Sequence, residues 1–183
     1  MAKRATNGLL PGATQDRQSV TADWSFCRQT LIAGIVVKEV RHVPKGNGYL
    51  TEIYRRDWQL DDQPVDQVFQ VQLQPGAVSA WHAHLLTTDR LFANHGLIRI
   101  MLYDARQNSA THGTLNEFRV GTVRPTLICV PPGVWHGVQN LGHEAALLLN
   151  LVNRAYEYQG PDHWRLPPDT DQIPYRFTPG TTG

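Results

Sequence analysis

His82-Ala83-His84 follows closely on a Pro75-Gly76 turn, with Asp89 five residues after His84 and His136 much further along. In an extended strand, residues i and i+2 point to the same face, so the two imidazoles project together. Asp89 offers a hard oxygen. His136 lies in Pro131-Pro132-Gly133-Val134-Trp135-His136, where a turn opens a later strand. Three neutral imidazoles and one carboxylate suit one divalent transition metal (Zn, Fe, Mn, Ni or Co) and do not suit Ca or Mg. Four protein ligands on an octahedral ion leave positions open for water, oxygen or substrate. A His-x-His pair alone carries little weight; the wider spacing carries more.

The elements that must position these residues are strands. Seventeen Lys+Arg against sixteen Asp+Glu give a net charge of +1 over 183 residues, so nothing points to a nucleic-acid or membrane partner. No apolar run approaches the ~20 residues needed to cross a bilayer, and no signal-peptide pattern opens the chain. A soluble, cytoplasmic protein acting on a small molecule is expected. Cys27 and Cys129 are read as free, buried thiols of a reducing compartment. Residues 1–25 read as a flexible arm, and 26–183 as a single domain with a Pro-rich tail from Gly160. Val65, Gln67, Phe69, Val71 and Leu73 alternate strictly with Asp66, Val68, Gln70 and Gln72, a two-faced strand. Further short strands are expected over 32–40, 49–54, 97–103, 117–120, 126–130, 137–139 and 146–152, fenced by Gly, Pro or Asn. With no amphipathic helix of more than three turns, this means an all-β sandwich or barrel.

Gly76-(x)5-His82-x-His84-(x)4-Asp89-(x)6-Gly96 resembles the first motif of the cupin superfamily, with Asp for the usual Glu. Pro131-x-Gly133-(x)2-His136-(x)3-Asn140 resembles the second, with Pro125 for its leading Gly. The resemblance implies an all-β fold, a single cupin jelly roll, with His82, His84, Asp89 and His136 converging inside the barrel. A homodimer is expected, because open jelly rolls tend to cover strand edges with a partner.

A closer resemblance spans residues 46–177. Gly48–Arg55, Gly96–Arg106, Ser109–Gly113 and Pro131–Gly137 look like the early strand, central hairpin and loop of the dTDP-4-dehydrorhamnose 3,5-epimerase family. The resemblance makes His82 the counterpart of that family's base. Its substrate-binding Arg falls on Ser79, its Lys on Asp89, its catalytic Tyr on Leu149, and the Asp paired with its base on Pro167 or Pro168. Epimerisation beside a ketone needs a base, an oxyanion stabiliser and an acid on the opposite face. The exchange of Lys for Asp beside a second His reads as a cationic side chain given up and a cation site gained.

The expectation is therefore a metal-dependent cupin enzyme acting by Lewis-acid activation on a carbonyl-bearing or enolisable molecule, a nucleotide sugar or polyketide-like metabolite, without 3,5-epimerisation. The alternatives are a metal-free dTDP-4-dehydro-sugar 3,5-epimerase or isomerase with His82 as base, and a non-enzymatic small-molecule-binding cupin. Arg90, Trp135 and Asn150 are candidate substrate contacts. His42, His112, His143 and His163 lack a partner at ligand spacing and are read as surface residues.

Overall fold

The computed structural model describes residues 8–16, 18–22 and 29–178; Cys27, part of the expected arm and the end of the tail lie outside them. The chain divides after Thr30. Turns occupy much of the described part of Met1–Thr30, one of them closed by the Ala13 N–H on the Leu10 carbonyl at 3.1 Å.

The unit Leu31–Gly183 carries β1 (Val36–Glu39), β2 (His42–Lys45), β3 (Gly48–Thr51), β4 (Gln67–Leu73), β5 (Val78–Ala83) and β6 (Asp89–His95). It continues with β7 (Leu97–Asp104), β8 (Leu115–Gly121), β9 (Thr126–Val130), β10 (Val134–Asn140), β11 (Ala146–Val152) and β12 (Trp164–Arg165). One antiparallel sheet runs β1-β9-β6-β11-β4 and the other β12-β5-β10-β7-β8, while β2 and β3 form a separate hairpin. The fold is the expected all-β jelly roll. The described helical structure is one 3-10 turn, Arg56–Trp58.

Alternation in each strand decides which residues enter the core. Leu73, Leu91, Ile128 and Leu148 of the first sheet meet Ile98, Ile100, Leu102, Phe118, Val134 and Val138 of the second, all buried. That apolar filling occupies part of the space between the sheets; where the inward residues turn polar, the barrel opens. Strand β6 was not expected from the sequence. Its five residues Asp89–Ala93 are buried whichever face they take, because loops cover the outside of the first sheet, so the period-2 signal vanishes.

The outer face of the second sheet is covered by the C-terminal tail, which is strapped across it. Ile173 and Phe177 are buried against Trp81 and Met101, with Trp135 and Tyr175 packed alongside. Reciprocal backbone bonds join Leu166 to Trp81, at 2.9 and 3.1 Å, and Gln139 Nε2 donates to the Thr178 carbonyl at 2.7 Å. Gly137 makes this approach possible. A Cβ there would lie 2.5 Å from Ala80 Cβ and 2.8 Å from the Phe177 ring.

Asp104, at the end of β7, is a structural hub. Its carboxylate accepts from Arg106 Nε at 2.8 Å, Arg106 Nη2 at 3.0 Å, Thr111 Oγ1 at 2.7 Å and Ser109 Oγ. Thr111 Oγ1 in turn accepts the Ala33 N–H at 2.8 Å, which ties the start of the domain to this turn. Burial opposes ionisation, yet Arg106, Ser109 and Thr111 outweigh it and hold the carboxyl well below the usual range. A depressed folded-state pKa stabilises above the unfolded value of about 3.9 and loses that contribution as pH falls through the folded one. Asp104→Asn is accordingly expected to lower unfolding free energy by about 2 kcal/mol. Denaturant titrations should show that gap constant from pH 5 to 8 and narrowing below pH 4.

Candidate active site

Strand β5 pairs with β10 through a register shift: His136 sits opposite His82, but Val138 sits opposite Ser79. Two residues of β5, Ala80 and Trp81, thus face Gly137 alone. Such a bulge re-aims the side chains after it. Without it, Ser79 and His82 would point to opposite faces; with it, both line the interior, and Trp81 goes outward beneath the strap. His136 enters from β10 between Val134 and Val138, Asp89 opens β6, and Asn150 projects from β11.

These side chains line a cavity of about 850 Å³. His84, Asp89 and His136 each offer a ligand atom within 4.8 Å of the others. The Nδ1 of His84 bonds the Asp162 carbonyl, and that of His136 the Val134 carbonyl at 3.4 Å. As donors to carbonyls, both rings keep their Nε2 lone pairs free for the interior. Asp89 Oδ1 accepts from Asn150 Nδ2 at 2.7 Å, while Oδ2 lies 3.7 Å from His84 Nε2. Two imidazoles and a carboxylate so arranged suit a divalent transition metal.

His82 does not join this group, contrary to expectation. Its Nε2 lies 3.0 Å from Ser79 Oγ and its Nδ1 3.0 Å from His163 Nε2. His163, expected at the surface, is half-buried in the cavity wall, with its ring centroid 5.0 Å from that of His82 and 4.8 Å from that of His84. Spacing could not reveal it, since β12 brings it back from 81 residues away by pairing Trp164 with Ala83 and Arg165 with His82.

Two expected substrate contacts lie elsewhere. Arg90 follows the inward Asp89 and must point outward, where it is fully buried, bound by Asp61 and donating to the Gln63 carbonyl at 2.9 Å. Trp135 precedes the inward His136 and packs beneath the strap. Asn150 does line the cavity, but its amide is spent on Asp89 and on the Arg90 N–H. Leu149, where the family's Tyr was placed, faces the outer cluster of Phe92 and Leu127. The tyrosine that lines the cavity is Tyr156, in the loop after β11. Arg154 and Arg165 also line it, both exposed and without an ion-pair partner among the described residues.

The chain matches no family model. It is 34% identical over 139 residues, 75% of this chain and 89% of the other, to the probable low-salt glycan biosynthesis epimerase Agl13 of Haloferax volcanii. The chain belongs to the dTDP-sugar epimerase family. A second relative in the family is the spore coat polysaccharide biosynthesis protein SpsL of Bacillus subtilis, 29% identical over 80% of this chain and 97% of that one. The crystal structure of a dTDP sugar isomerase from Desulfovibrio desulfuricans G20 superposes with a TM-score of 0.75 and 28% identity, covering 80% of this chain and 92% of that one.

In this family member burial and crowding lower the proton affinity of His82, His136 and His163. Burial, then His136, His163, Arg165 and His84, push His82 down to about 3. Burial also lowers His136, against the pull of Asp89, and lowers His163 with help from His84 and Arg165. Each of these groups binds its proton more weakly folded than unfolded, where the value is about 6.5. Stability should therefore fall as pH drops from about 6.5 toward 3. Urea midpoints of the metal-free protein should decline over that window, and His82→Gln should make the decline shallower; an unchanged slope would contradict the geometry.

Proposed function

We propose that the protein epimerises or isomerises a nucleotide-linked keto sugar, with His82 taking a proton from the carbon beside the ketone. The observation that carries this reading is the place of His82 on the wall of a cavity of about 850 Å³, its Nε2 3.0 Å from Ser79 Oγ and its Nδ1 3.0 Å from His163 Nε2. A general base must lack its proton when substrate arrives, and burial first, then the neighbouring imidazoles and Arg165, lower the proton affinity of His82. The relatives favour this metal-free reading over the sequence expectation of metal-first catalysis.

Arg154 and Arg165 supply unpaired guanidinium groups suited to a diphosphate. A dianion placed against Arg165 would also cancel part of the field that depresses His82, so binding of the nucleotide strengthens the base. Tyr156 is the candidate acid for returning a proton, as the tyrosine among the described lining residues. After proton transfer, charge on the substrate oxygen needs a positive neighbour in a site that excludes water.

A second reading concerns that neighbour. His84, Asp89 and His136 form a donor set whose free lone pairs converge. A divalent transition metal held there would supply Lewis-acid stabilisation of the enolate oxygen.

Two experiments test these readings. With dTDP-4-dehydro-6-deoxyglucose in D2O, wild-type protein is expected to place deuterium at C3 or C5, and His82→Gln to lose roughly 10²- to 10⁴-fold in that exchange. Absence of exchange from both metal-free and metal-supplemented wild type would remove the epimerase reading. For the metal, Co2+ titration should give one bound ion per chain with visible absorption. His84→Ala and Asp89→Ala should abolish the signal and His82→Gln should keep it; a wild type that leaves Co2+ free in solution would end the second reading.

A further inference from the structure

We propose that His163, carried into the cavity by the C-terminal strap, is the residue that orients the base. It holds His82 in the Nδ1–H tautomer and so keeps the His82 Nε2 lone pair turned to the cavity. This rests on the reading of His82 as the base.

The argument begins with two facing ring nitrogens. His82 Nδ1 and His163 Nε2 are 3.0 Å apart, and His82 Nε2 is 3.0 Å from Ser79 Oγ. A neutral imidazole has one donor and one acceptor, so of two facing nitrogens only one carries the proton. If His163 donated, His82 Nε2 would bear the other proton and donate it to Ser79, leaving no lone pair on the cavity side. If His82 donates through Nδ1, Ser79 Oγ–H can donate to Nε2, and the lone pair that accepts from Ser79 is the one a substrate proton would reach. The two facing nitrogens, 3.0 Å apart, fix the choice between these two arrangements for the neutral pair.

The resemblance places a carboxylate partner for the base at Pro167 or Pro168, where this chain can offer none. The strap supplies a partner earlier because β12 runs antiparallel to β5, with Trp164 opposite Ala83 and Arg165 opposite His82. His163 is fixed from both sides. After it comes the Leu166–Trp81 backbone pair. Before it, the Asp162 carboxylate accepts the Leu85 N–H at 2.8 Å, the Leu86 N–H at 2.7 Å and the Thr87 hydroxyl at 3.2 Å, and its carbonyl accepts from His84 Nδ1. Burial disfavours the Asp162 charge, but those donors outweigh it and hold the carboxyl below its ordinary range. An imidazole acceptor orients His82 without adding the negative charge a carboxylate would bring.

The test reads the tautomer directly. Full-length protein labelled with 15N-histidine is compared by long-range 1H–15N spectra as wild type, His163→Leu and His163→Gln. Wild type is expected to show His82 as Nδ1–H. His163→Gln, whose amide oxygen can accept the same proton, should keep that tautomer and most of the deuterium-exchange rate. His163→Leu should shift His82 toward Nε2–H and lower kcat roughly 10- to 100-fold with KM within about twofold. A wild-type His82 found as Nε2–H, or a His163→Leu protein matching wild type in tautomer and kcat, overturns the proposal. Should His163→Leu fail to fold, the wild-type and His163→Gln spectra still decide it. An Nδ1–H His82 in a wild type that turns over no keto sugar supports the orientation by His163 while removing the epimerase reading, so the two failures are distinguishable.

Discussion

The pairing of β5 with β10 is the constraint on which the site depends. Both strands are central enough to be covered on each face, so the register between them sets two environments at once. One extra residue in β5 opposite Gly137 brings Ser79 and His82 inward together and sends Trp81 outward. The same Gly137 leaves room for Phe177, so the strap can lie flat on the outer face. A side chain at 137 would push against Ala80 within the bulge and against the strap above it. Geometry inside the cavity and docking outside it are thus consequences of one local irregularity.

The electrostatics follow from that arrangement. Four imidazoles, those of His82, His84, His136 and His163, share one wall, with ring centroids 4.8 to 6.0 Å apart. Burial first, then the neighbouring rings, disfavour a proton on His82, His136 and His163. Permanent positive charge is kept on Arg154 and Arg165, which are exposed, while Arg90 is neutralised by Asp61 behind the first sheet. The cavity therefore gathers imidazole nitrogens deep inside and guanidinium groups further out. That gradient suits a ligand with a reactive uncharged ring and an anionic tail.

Much of this was legible in the sequence, and the part that was not has a physical reason. The strict alternation of 65–73, the turn-fenced short strands and the two His-bearing motifs gave the jelly roll and the convergence of His84, Asp89 and His136. Arg90 and Trp135 were misplaced because proximity to a ligand in sequence was read as proximity in space; in a strand the next residue faces away. Leu149 illustrates the same alternation in β11, where Leu148 and Asn150 take the inward side. His82 was expected on the metal because it shares a face with His84, but its two nitrogens are already engaged across the cavity. His163 was invisible for another reason. Its place depends on a two-residue strand pairing, Trp164–Arg165 with Ala83–His82, which leaves no periodic trace.

The exchange of Lys for Asp at position 89 takes a different meaning from the packing. A carboxylate among neutral imidazoles needs something to hold it, and Asn150 does so through Oδ1 at 2.7 Å. The shorter side chain keeps Oδ2 back, at 3.7 Å from His84 Nε2, too far for a strong hydrogen bond yet near enough to share a third partner. His84 and His136, each donating Nδ1–H to a carbonyl, present lone pairs rather than protons toward the same space. Acceptors that converge in this way repel one another, and a positive species between them relieves the repulsion. His82, by contrast, already has partners on both of its nitrogens. The cavity is thereby divided: one half offers the converging acceptors of His84, Asp89 and His136, and the other holds the Ser79–His82–His163 chain, whose ring nitrogens on His82 are both engaged.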